Sequence, residues 1–116
     1  MKSVLLSICL LFTATTLALS HSVVTKSSPN DGARLRVAPK HLDVSFSKPT
    51  RVVKASLTHN DGDPLKLTLS TKEPTELIRF SPAPTAAGDY IIKWRALSED
   101  GHTLKGSLQF SIIEQN

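Results

Sequence analysis

Two histidines, far apart in the chain, sit in surroundings that metal chemistry can use. His21 follows Ala18-Leu19-Ser20, a small-residue signal for leader cleavage between Ser20 and His21. Such a cut frees an α-amine on the residue that already carries an imidazole. Those two nitrogens can grip one metal ion in a single chelate ring. His102 closes Asp100-Gly101-His102 near the other end. Residues two apart in an extended segment project from the same face, and Gly101 between them adds backbone freedom without a side chain. Asp100 and His102 are therefore expected side by side at a loop or strand start. Together with His21 they offer two imidazoles, one amine and one carboxylate. Nitrogen-rich tetragonal sets suit Cu(II), which heads the divalent affinity order, whereas Zn(II) prefers a tetrahedral arrangement. An isolated Asp-Gly-His is commonly only a turn, so the weight lies on its coincidence with His21.

The leader itself is short. Lys2 supplies the positive start, and residues 4–12 are apolar apart from Ser7. A bilayer span takes about 20 apolar residues, and no stop-transfer flank follows. Residues 1–20 are expected to be a cleaved secretory signal peptide and residues 21–116 the mature domain, with no stable membrane insertion. Cys9, the only cysteine, and Met1, the only methionine, would both leave with the leader. The mature domain then has no disulfide, and no soft sulfur ligand to offer a metal. No cysteine stands at the cut to carry a lipid.

The formal charge is +4 and the sequence pI is near 9.5. Loss of Lys2 lowers the charge from +4 to +3. Lys and Arg are scattered among acids, no basic run appears, and aromatics are few. Phosphate-backbone binding needs a concentrated patch, so nucleic acid is not an expected partner, and the mild basicity reads as a solubility feature.

The elements that must carry these residues read as strands. Leu42, Val44 and Phe46 alternate with polar neighbours, as do Val53, Ala55 and Leu57; Leu65, Leu67 and Leu69; Tyr90, Ile92, Trp94 and Ala96; and Leu108, Phe110 and Ile112. A period of two means one buried face and one wet face. Turn signals separate the runs: Pro29-Asn30-Asp31-Gly32, Ala38-Pro39, Lys48-Pro49, Asn60-Asp61-Gly62, Ser81-Pro82-Ala83-Pro84, Ala87-Gly88 and Asp100-Gly101. No helical stripe competes. Short strands at this spacing in a domain of about 100 residues predict an all-β, Greek-key β-sandwich of about seven strands, immunoglobulin-like or cupredoxin-like, with Trp94 in its core.

The mature sequence resembles the CopC family of periplasmic copper-binding proteins over essentially its whole length. His21 fits the family's mature N-terminal His. Ser28-Pro29-Asn30-Asp31-Gly32-Ala33 resembles its first turn, and Ala38-Pro39 with Leu42-Asp43-Val44-Ser45-Phe46-Ser47 its next turn and strand. Gly88-Asp89-Tyr90 leading into Lys93-Trp94-Arg95 resembles the strand before the metal loop. Ser98-Glu99-Asp100-Gly101-His102 fits that loop, with Gly106 and Phe110 following. The resemblance implies a periplasmic protein, not an enzyme, that holds one Cu(II) per chain through the amine and imidazole of His21 together with Asp100 and His102. It implies a role in copper homeostasis or resistance, with a membrane copper transporter or a copper oxidase as partner, and nothing suggests more than a monomer. Two departures stand out. Many relatives carry a Glu after the Phe-Ser pair where this chain has Lys48. The Met-rich loop that holds Cu(I) in some relatives has no counterpart here.

Two other function classes fit parts of the pattern. An N-terminal His with a second His also resembles the histidine brace of copper-dependent oxidative enzymes, although Asp100 would fill a position that such chemistry keeps open. A metal-free sandwich interaction module is the third. His41 and His59 read as solvated surface residues, Glu99 as a solvated loop carboxylate, and Asp31 and Asp61 as turn residues.

Overall fold

The computed structural model describes residues 23–114. The leader and His21 lie outside the described residues. The seven strands are β1 (Val24–Ser28), β2 (Ala33–Leu35), β3 (Leu42–His59), β4 (Leu65–Leu69), β5 (Thr75–Ser81), β6 (Gly88–Leu97) and β7 (Thr103–Ile112). The fold is an all-β sandwich, as the alternation requires.

β3 organises the molecule. Its first part pairs with β1 and β5, and its second part pairs with β4 and β6. β6 then pairs antiparallel with β7, and β2 joins β7 in parallel. One strand therefore belongs to both layers. The two alternating runs around Phe46 and Ala55, expected as separate strands with a turn at Lys48-Pro49, are one continuous strand with a corner. Pro49 has no N–H to give a ladder, and the β3–β5 register shifts between Ser45 and Thr50. Thr50 is fully buried there, its hydroxyl donating to the Lys48 carbonyl at 2.9 Å. A second register shift between Val52 and Lys54 re-aims the strand.

The core lies between the layers. Leu42, Val44, Phe46, Ile78 and Phe80 face Ala55, Leu57, Ile92, Trp94, Leu108 and Phe110. Burying each large side chain contributes about 1.5–3 kcal/mol. Trp94 is 5% exposed and meets Phe46 edge-on at 6.5 Å and Phe80 at 6.2 Å. Its indole lies against Gly106, where a Cβ would enter the ring.

The β3–β4 connection is the tight hairpin that Asn60-Asp61-Gly62 announces. Asn60 and Asp61 take φ of 47° and 59°, and the Gly62 N–H donates to the His59 carbonyl at 2.9 Å. Two positive φ values in succession define the turn that matches strand twist.

Candidate metal centre

β6 and β7 run antiparallel from Gly88↔Ile112 to Leu97↔Thr103, and the segment 98–102 closes them. Its backbone is tied twice. The Gly101 N–H donates to the Ser98 carbonyl at 3.0 Å, and the Ser98 N–H donates to the His102 carbonyl at 3.0 Å. Gly101 takes a φ of 84°, which a side chain would resist.

This turn, not an extended strand, brings Asp100 and His102 together. The expected pairing is present, but its cause is the reversal at Gly101. His102 Nδ1 stands 2.7 Å from Asp100 Oδ2. The other carboxylate oxygen accepts from the Ser98 hydroxyl and from the His102 N–H. The Ser98 hydroxyl bond first, and then the His102 N–H, hold the Asp100 carboxyl down to about 2. Asp100 is thus a fixed anion at neutral pH. With Nδ1 facing it, the carboxylate orients the His102 ring. The His102 side chain is 70% exposed and that of Asp100 44%, so the pair is open to an arriving ion.

Imidazole and carboxylate fit the oxidised copper ion that the donor chemistry favours. Two donors do not complete a site. Among the described residues no group of three or more His, Cys, Asp or Glu gathers, and His21, the remaining expected ligand, lies outside them. The described chain starts close by. Val23 is bonded to Ser47 in both directions, through its N–H to the hydroxyl at 3.0 Å and its carbonyl from the N–H at 2.8 Å. Val23 and Val24 line one groove with Leu104 and Lys105, just after His102.

The remaining sequence candidates divide. His41 is exposed. His59 is not the solvated residue expected: its Nε2 lies 2.9 Å from the Ala87 carbonyl, and its ring stacks on Tyr90 at 4.5 Å and 6°. Asn60 next to it bonds both backbone groups of Asp89. Glu99 is exposed, as read. Lys48 is exposed beside Pro49, which shares a groove with Ser98 and Gly101. The residue that sequence reasoning left without a role is Ser98, 8% exposed and bonded to Asp100. Its signal was a hydroxyl two positions before a carboxylate, the spacing of a local turn bond.

A match to the CopC domain runs over residues 24–113. The chain belongs to the CopC family. It is 25% identical over 106 residues to copper resistance protein C of Pseudomonas syringae pv. tomato, covering 83% of each chain. It is 26% identical over 98 residues to the copper transport protein CutJ of Bacillus subtilis, covering 80% of this chain but only 18% of CutJ. Among solved structures it resembles CopC from Methylosinus trichosporium OB3b, with a TM-score of 0.64 and 25% identity over 79% of this chain and 93% of that one. PcoC, a methionine-rich copper resistance protein from Escherichia coli, shares the fold at a TM-score of 0.60 and 23% identity, over 80% of this chain and 99% of that one. The matched CopC region contains the 98–102 loop and begins after His21.

Proposed function

We propose that this member of the CopC family binds one Cu(II) per chain in the periplasm and buffers or delivers it in copper homeostasis and resistance. It acts without catalysing a reaction. The ligands are the α-amine and imidazole of His21, freed by cleavage after Ser20, with Asp100 and His102. The observation that carries this reading is the exposed, hydrogen-bonded Asp100–His102 pair on a hairpin tied by two backbone bonds. Two features support its completion by His21. Val23 lines a groove with Leu104 and Lys105, and two residues of backbone reach at most about 7 Å. The names of the relatives, copper resistance and copper transport proteins, agree with it. A membrane copper transporter or a copper oxidase would exchange the ion, and the protein works as a monomer.

The test is an electron paramagnetic resonance spectrum of the mature protein with one equivalent of Cu(II), after mass spectrometry of its N-terminus. The expected result is a mature chain starting at His21 and an axial spectrum with nitrogen coupling that changes in His102→Ala. A spectrum indifferent to His102→Ala would overturn the ligand set.

A further inference from the structure

Lys and Arg look scattered in the sequence, but the second layer gathers them. Register places Lys54 opposite Arg95 and Arg95 opposite Lys105. The next row on the same outer face is Ser56, Lys93 and Ser107, and β4 extends it with Lys66 opposite Ser56. Lys54, Ser56, Lys93, Arg95, Lys105 and Ser107 line one open groove of about 510 Å³. No carboxylate lines it. Among the described residues the ion pairs of Asp43, Glu73 and Asp100 lie elsewhere.

Like charges directly opposite one another in a sheet destabilise it. Three cations in one cross-strand row, without an acid, are a cost that solubility alone does not require. The two serines and Gly106 are short beside the cations, so the face forms a trough that the serine hydroxyls line together with the cations. A bilayer surface is flat and cannot enter a trough. An extended chain can, and carboxylates along it would meet ammonium, guanidinium and hydroxyl donors together.

We infer that this trough is the docking surface for an extended acidic segment of a partner protein. Its position gives the docking a consequence. The Arg95↔Lys105 pair is two register steps from Leu97↔Thr103, where the 98–102 loop begins, a distance of about 7 Å along a strand. A segment seated in the trough lies beside that loop. The surface itself does not depend on copper, and its test uses the metal-free protein.

The probe is a fluorescein-labelled oligoglutamate peptide, followed by fluorescence anisotropy at rising salt. The wild-type protein should bind it, and affinity should fall steeply with ionic strength. Lys93→Gln/Arg95→Gln should weaken binding at least ~10-fold while leaving the melting temperature unchanged or higher. Lys26→Gln/Lys72→Gln removes the same charge from exposed positions outside the trough and should bind as wild type does. Equal loss in both double variants would show that net charge alone is read. That result, absence of peptide binding by the wild-type protein, or preferential binding to phosphatidylcholine–phosphatidylglycerol vesicles would each overturn the inference.

Discussion

The Asp100 carboxylate carries three local duties: it accepts from Ser98, accepts from the His102 backbone and faces the His102 ring. Its folded pKa, about 2, lies below the ordinary 3.8. The order it gives the loop is therefore complete above pH 3.8 and fades as pH falls toward 2. In the metal-free protein, an NMR titration of Asp100 should show a midpoint well below 3.8, and Ser98→Ala should move it upward, because the hydroxyl bond is the largest cause of the shift. A midpoint unmoved by Ser98→Ala would contradict this account of the loop. For copper, His102→Ala should cost more affinity than Asp100→Ala, since imidazole is the better equatorial donor and a carboxylate often takes a weaker position. Competition titration ranks the two, and His41→Ala should match wild type. His59→Ala should also leave copper binding intact. It should, however, lower stability by about 1 kcal/mol in denaturant unfolding, through loss of the Tyr90 stack and the Ala87 bond. The pairing of Asp100 with His102 was legible from their spacing. The structural role of His59 was not, because Ala87 and Tyr90 are brought beside it only by the long-range β3–β6 pairing.

At the scale of elements, the alternating runs were legible where one face lies in the core and burial enforces a period of two; Val53, 47% exposed at the register shift that buries Val52 instead, and Leu65, 53% exposed, depart from that reading. β1 escaped notice because none of its five residues is buried, and β2 is three residues long. β5 was obscured by Leu77 next to Ile78, where one is 54% exposed and the other fully buried. The corner in β3 was misread as a break because Lys48-Pro49 carries turn chemistry, and only the buried Thr50 shows that the strand continues. β7 offers the clearest test of packing. Gly106 is required by the Trp94 indole above it. Gly106→Ala should therefore destabilise the domain by about 1–3 kcal/mol, as overpacking does, and perturb Trp94 fluorescence. Wild-type stability in that variant would mean that the indole does not rest there.

The whole molecule sets the Asp100–His102 pair at one end of a small sandwich core, on the loop that joins β6 to β7. Its donor chemistry follows from composition. On the proposed cleavage after Ser20, Cys9 and Met1 leave the chain and only nitrogen and oxygen ligands remain. Cu(I) favours sulfur, so reduction should loosen the ion, and competition with a Cu(I) chelator should strip it readily. A tight Cu(I) complex would contradict a site built from His and Asp. Composition hid the cationic trough, because scattered lysines become neighbours only through strand register.

The central claim is that copper is held by a histidine made N-terminal through processing. An internal His offers an amide nitrogen, a far poorer ligand than a free amine. Cu(II) affinity should therefore be compared between the mature protein beginning at His21 and a variant with one extra residue before it. The account predicts a loss of orders of magnitude in the extended variant, and equal affinity in the two proteins would contradict it.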